Sequence, residues 1–123
     1  MVSCIFCNIQ NPIIENDLAL AFFDKNPVSK GHVLLVPKRH AQDYFELTSE
    51  EKLAMDDLLG LCKGYLDNLY KPDAYNIGAN CGLEAGQTVF HCHVHLIPRY
   101  AGDMANPAGG VRGVIPEKQN YKD

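Results

Sequence analysis

The feature that most constrains this chain is the run Val89-Phe90-His91-Cys92-His93-Val94-His95-Leu96-Ile97, in which three histidines occupy every second position of an apolar stretch. A strand alternates its faces, so this period puts His91, His93 and His95 on one side with Val89 and Ile97. Phe90, Cys92, Val94 and Leu96 then form an apolar opposite side that suits a core. Same-face neighbours stand roughly 7 Å apart along a strand. The expectation is a ridge of imidazoles over a hydrophobic floor, and such a ridge calls for a chemical reason.

The 123 residues are 46% hydrophobic, enough for one domain with a core that needs no disulfide framework. No apolar run approaches 18 residues and no secretory leader pattern opens the chain, so a cytoplasmic protein without membrane contact is the expectation. A formal charge of -4 argues against a nucleic-acid partner and requires any polyanion to be met locally. Five cysteines is an odd number, and in a reducing compartment thiols as closely spaced as Cys4 and Cys7 point to metal ligation or redox chemistry rather than to bridges.

Residues 18–24 and 32–37 read as two strands joined by a turn-rich loop, which pair most simply as an antiparallel hairpin. Asp24 closes the first strand as a turn-capping aspartate, and His32 begins the second as a supporting residue to the ridge. Lys38-Arg39-His40 is a compact basic corner whose plain reading is solvated charge. Thr48-Ser49-Glu50-Glu51 forms a capping box and predicts a long helix to about Tyr70, before Pro72. Met55, Leu59, Cys62, Leu66 and Leu69 line one face of it, Leu58 and Leu61 widen that face, and the helix is a candidate dimer contact. Residues 73–80 read as a third short strand. A glycine-bearing loop follows, in which backbone amides with Asn80, Gln87 and Thr88 could surround an anion. From about residue 101 the chain is breaker-rich and without periodicity.

Cys4-x-x-Cys7 lacks the strand and helix that flank a thioredoxin-type motif, which favours metal. A catalytic metal on two or all three ridge histidines is one arrangement. A closed Cys2His2 site is another: Cys4, Cys7, His40 and one ridge histidine leave no position for water, and they free two histidines. Free imidazoles suit phosphoryl chemistry, as nucleophile toward phosphorus and as donor to phosphate oxygens.

His91-Cys92-His93-Val94-His95-Leu96-Ile97 resembles the His-φ-His-φ-His-φ-φ motif of the histidine triad (HIT) family. Cys4-x-x-Cys7, Leu20-Ala21-Phe22-Phe23-Asp24, the stretch from Gly31 to His40, and Asn80 with Gly86-Gln87-Thr88 resemble that family in order and spacing, over residues 4 to about 100. The resemblance implies an α+β HIT-like fold, with a five-stranded antiparallel sheet, one long helix and a short N-terminal helix. It implies a single domain over residues 1–123 with an irregular tail, acting as a homodimer on an adenine nucleotide. The implied activity is hydrolysis or transfer at a nucleoside 5′-phosphoryl bond, in a dinucleoside polyphosphate or a nucleoside phosphoramidate, through a nucleotidyl-histidine on His93. A non-catalytic nucleotide-sensing or scaffold dimer is the alternative.

By the same resemblance His95 holds phosphate oxygens, Asn80, Gln87 and Thr88 contact phosphate, Asp24 binds ribose and Phe22 lines the base pocket. Cys4, Cys7, His40 and His91 take up structural zinc. Lys25 and Thr88 depart from the phosphoramidase branch, where an aliphatic residue and a serine are usual. The tail lacks that branch's tryptophan-bearing end and looks like that of dinucleoside polyphosphate hydrolases, with Arg112 or Lys118 available to extra phosphates.

Overall fold

A computed structural model describes residues 4–121. Its strands are β1 (Ile14–Glu15), β2 (Ala19–Phe23), β3 (Val33–Pro37), β4 (Ala74–Gly78) and β5 (Val94–Arg99), with the helix α1 (Ser49–Tyr70) between β3 and β4. All neighbours pair antiparallel, in the order β1-β2-β3-β5-β4. Single 3-10 turns cover Ile5–Cys7, Tyr44–Glu46 and Leu83–Ala85, and two more fold the tail at Gly110–Val114 and Pro116–Lys118. No helix among the described residues is long and apolar enough to cross a membrane.

The sheet has two unlike faces. Ala19, Ala21, Val33, Leu35 and Leu96 are buried with Met55, Leu58, Cys62 and Leu66 of α1, which makes the core between sheet and helix. On the other face Phe22, Leu34 and His95 form one row across three strands, since Phe22 pairs with Leu34 and Leu34 with His95. That row is the floor of the site.

The hairpin and the helix form as the sequence predicts. Thr48 Oγ1 accepts from the Glu51 amide while Glu51 reaches back to the Thr48 amide, closing the capping box. The helix ends as Lys71 turns into the left-handed region, immediately before Pro72. Its buried stripe runs through Met55, Leu58, Cys62 and Leu66. Leu69, expected on that stripe, is half exposed and belongs with Leu61 and Tyr65 to a second, outward line at spacings of four.

Three expectations need correction. The histidine run is not one strand: β5 begins at Val94, and residues 89–93 leave the ladder for loop partners. The Cys92 amide donates to the Ala41 carbonyl, and the Gln87 amide group donates to the Val89 carbonyl. Phe90 consequently faces solvent, whereas Cys92 and Leu96 are buried as expected. The basic corner is not simply solvated either. Arg39 grips both oxygens of buried Glu51 at 3.0 and 2.9 Å, Lys38 pairs with Glu15, and His40 turns toward Cys7. The guanidinium beside Glu51 holds its carboxyl down at about 2, although burial opposes the shift. Finally, β1 was not anticipated, because two residues are too few to show a period.

Gly31 closes the β2–β3 connection with φ +90, and a Cβ there would come within 2.8 Å of the Tyr70 ring. Only glycine meets both demands, and this tight turn delivers His32 to the start of β3.

Candidate active site and metal cluster

Two groups of side chains stand side by side on the open face of the sheet. The first is Cys4, Cys7, His40 and His91, whose ligand atoms all lie within 4.8 Å of one another. Cys4 Sγ is 3.2 Å from His91 Nδ1, and Cys7 Sγ is 3.4 Å from both His91 Nδ1 and His40 Nδ1. Tetrahedral bonds of about 2.3 Å to sulfur and 2.0 Å to nitrogen put such atoms roughly 3.5 Å apart, close to the spacing observed. The donor chemistry fits as well. His91 is fully buried, and its Nε2 stands 2.8 Å from the Pro37 carbonyl, to which it must donate, so Nδ1 carries the lone pair toward the thiols. Burial keeps the His91 ring below its ordinary pKa, in the neutral form that ligates. The hydrogen bond with Cys4 raises the Cys7 thiol, a crowding that a bound cation relieves by holding both sulfurs as thiolates. These four residues could hold a metal ion, with no donor left over for an open position.

The second group lines a cleft of about 450 Å³ walled by Ile5, Phe6, Ile9, Phe22 and Phe23. Asp24, Lys25, Asn26, Asn80, Gly86, Thr88, Val89, His93 and His95 complete its lining, and Leu34 forms its floor. The cleft thus has an aromatic and aliphatic end and an end rich in polar groups, the usual make-up of a small-molecule site. Phe6 links the two groups: its ring centroid is 5.4 Å from Phe22, 5.0 Å from His93 and 6.3 Å from His91.

Hydrogen-bond partners fix the imidazoles in different tautomers. His93 Nδ1 stands 2.8 Å from the His91 carbonyl, which can only accept. His93 therefore carries its proton on Nδ1 and a lone pair on Nε2. For His32 the order is reversed, because the Val28 amide donates to its Nδ1 at 3.0 Å and so places the proton on Nε2. That N–H donates to His95 Nδ1 at 2.9 Å. His95 must then hold its own proton on Nε2. Two adjacent cleft histidines, with ring centroids 5.3 Å apart, thus offer opposite functions: His93 a lone pair and His95 a donor. Burial lowers the pKa of both His32 and His95, and neighbouring imidazoles lower His95 further, which keeps this relay neutral.

Asp24, His32 and His95 also cluster closely enough to suggest a metal. The tautomers speak against it. With Nδ1 taken by the Val28 amide and Nε2 protonated, His32 has no lone pair left to give.

Asp24 does cap its turn, accepting the Asn26 amide at 2.9 Å, and it faces the cleft with its second oxygen 3.6 Å from His32 Nε2. Gln87 does not line the cleft. It is 1% exposed, with Oε1 accepting the Gly82 amide and Nε2 donating to the Gln42 and Val89 carbonyls, so it braces the loop from beneath. Arg112 is folded into its own tail, donating to the Lys118 carbonyl and stacking on Tyr121, and neither Arg112 nor Lys118 lines the cleft.

Sequence reasoning missed the wall of Ile5, Phe6 and Ile9, because the motif there draws attention to the two sulfurs. The supporting role expected of His32 is observed, with His95 as its partner. Alternation along β3 puts His32 and Leu34 on one face, and the pairing of Leu34 with His95 carries that face to the cleft.

The model of the HIT domain matches residues 8–102. A HIT-like protein of Methanocaldococcus jannaschii is 42% identical over 111 residues, covering 81% of each chain. The adenosine 5′-monophosphoramidase hnt1 of Schizosaccharomyces pombe is 40% identical over 104 residues, covering 80% of this chain and 75% of its own. The crystal structure of a zinc-bound histidine triad family protein from Mycobacterium smegmatis superposes with a TM-score of 0.74 at 32% identity, over 85% of this chain and 80% of the other. Match, identity and fold agree along most of the length, and the chain is a member of the HIT family.

Proposed function

We propose that this protein is a nucleotide hydrolase or transferase that cleaves a nucleoside 5′-phosphoryl bond, P–N or P–O–P, through a nucleotidyl-histidine on His93. The observation that carries the reading is the 2.8 Å contact from His93 Nδ1 to the His91 carbonyl, which leaves Nε2 as an unprotonated nucleophile on a ring lining the cleft. A relative that is an adenosine 5′-monophosphoramidase supports the reaction class.

In this reading the base lies between Phe6, Phe22, Ile5 and Ile9, and Asp24 accepts from the ribose hydroxyls. Asn80, Thr88 and the Gly86 backbone surround the α-phosphate, with Gln87 acting through the loop it braces. His93 Nε2 attacks phosphorus and the leaving group departs with the bonding pair, a leaving nitrogen taking up a proton from solvent as the P–N bond breaks. His95 Nε2–H donates to a phosphoryl oxygen as charge develops there, a stabilisation that strengthens in a site shielded from water. Water then attacks the nucleotidyl-imidazole, and the P–N electron pair returns to Nε2 with release of the monophosphate. Zinc in the Cys4, Cys7, His40 and His91 cluster supplies structure and no chemistry, since every ligand position is filled by protein.

We further propose a cytoplasmic homodimer without nucleic-acid or membrane partners. The outward line Leu61, Tyr65 and Leu69 on α1 and Ile77 on the edge strand β4, each between 43% and 58% exposed, supplies apolar surface for a second copy.

The reading is tested by a substrate panel in which adenosine 5′-phosphoramidate and diadenosine polyphosphates are compared for release of AMP. Turnover on one class supports it and names the leaving group. Tight nucleotide binding with negligible turnover on every class would establish the non-catalytic alternative.

A further inference from the structure

The cleft wall and the metal cluster share one segment of six residues, 4–9. Cys4 and Cys7 point into the cluster while Ile5, Phe6 and Ile9 face the cleft. This segment is weakly held. Its only regular structure is one 3-10 turn, closed by a bond from the Cys7 amide to the Cys4 carbonyl, and no residue of that turn is buried. Ile5 is 53% exposed. Among the described residues, no hydrogen bond joins residues 4–12 to the rest of the chain except the sulfur contacts to His40 and His91. Backbone bonding to the sheet resumes only at the Ile13 amide, which donates to Ala21.

The three triad histidines are anchored otherwise. His91 stays tied to the Pro37 carbonyl, His93 to the His91 carbonyl and His95 to His32, by bonds that do not involve sulfur. A short, half-exposed segment without sheet bonds has little local stability of its own, so its placement depends on its ligands.

We propose that metal occupancy of the Cys4, Cys7, His40 and His91 cluster sets nucleotide affinity, because that cluster is the tether of the wall formed by Ile5, Phe6 and Ile9. The inference rests on the nucleotide reading above and adds regulation to it: emptying the cluster opens the base end of the cleft while leaving the reacting end assembled. Phe6 is the coupling residue, lying against Phe22 and His93 on the cleft side and His91 on the cluster side. Because Phe6 itself meets the base in this reading, its loss appears in binding rather than in the chemical step.

The experiment measures AMP binding by calorimetry on protein loaded with one equivalent of Zn2+, on protein stripped by a chelator, and on stripped protein resupplied with Zn2+. Hydrogen exchange is followed in parallel. The expected result is a Kd for AMP weaker by about tenfold or more after stripping, the scale of a lost base–aromatic contact, and recovered on resupply. Exchange should quicken at the Cys7 amide, the hydrogen-bonded amide of this segment, and stay slow in β5, and at saturating substrate kcat should change far less than KM. Phe6→Ala should keep its zinc stoichiometry yet bind AMP as weakly as the stripped protein.

Equal affinity in loaded and stripped protein, wild-type affinity in Phe6→Ala, or loss of protection across the whole sheet would each overturn the proposal. If the loaded protein binds no nucleotide, the functional reading falls and the affinity claim with it. Exchange at the Cys7 amide then still shows whether the cluster tethers the wall.

Discussion

His32 Nε2 lies 2.9 Å from His95 Nδ1, and since the Val28 amide occupies the other nitrogen of His32, this one contact decides which atom of His95 carries a proton. His32→Ala should lower kcat by roughly 10- to 100-fold, the range typical of outer partners that orient a reactive ring, and leave the affinity for AMP within a few-fold. Nitrogen chemical shifts of His95 check the cause, because the variant should lose the fixed Nε2–H tautomer. A variant that keeps both the tautomer and the rate would remove His32 from the account.

Gln87 satisfies two backbone groups of the loop that carries Gly86 and Thr88, those of Gly82 and Val89, and ties that loop to the distant Gln42 carbonyl. Replacing it with leucine keeps the volume and leaves the Gly82 amide and two carbonyls without partners, a loss of about 1–3 kcal/mol in stability. Chemical denaturation measures it, and KM should rise as the loop loosens. Alanine at Asn80, which lines the cleft, should raise KM without a comparable loss of stability.

Glu51 gives a pH signature. Its carboxyl is held at about 2, against an ordinary value of 4.5, so the folded state favours the ionised form. The stabilisation is complete above 4.5 and is lost as pH falls toward 2. Glu51→Gln should be less stable than wild type by about 1–2 kcal/mol at pH 7, a figure kept low because Arg39 is half exposed. The gap should narrow steadily in denaturation curves taken between pH 4.5 and 2. A gap constant with pH would mean that the ion pair with Arg39 contributes nothing.

What could be read from the sequence were features whose period or chemistry is local. The capping box, the helix to Tyr70 and the β2–β3 hairpin announce themselves within a few residues. The cluster of Cys4, Cys7, His40 and His91 spans most of the chain, yet thiols admit so few partners that counting ligands narrowed it to one ridge histidine, and the family resemblance named His91. The alternation of the triad was informative for a different reason than expected. Residues 89–93 do not lie in the sheet, and what separates His91 from His93 is a backbone carbonyl and a kink toward Ala41. Partners such as Arg39 with Glu51, His32 with His95 and Phe6 with His93 were illegible, because each depends on register or on a turn that brings distant segments together.

Covalent nucleotidylation of His93 is the step on which the proposed function stands. Its most direct measurement is a rapid-quench incubation with an α-labelled dinucleoside polyphosphate or nucleoside phosphoramidate, quenched in base, where a phosphorus–imidazole bond survives, and followed by peptide mapping. An acid-labile label is expected on His93 and none in His93→Ala, with turnover of the variant lowered by roughly a thousandfold or more. An unlabelled His93 together with undiminished turnover in His93→Ala would contradict it.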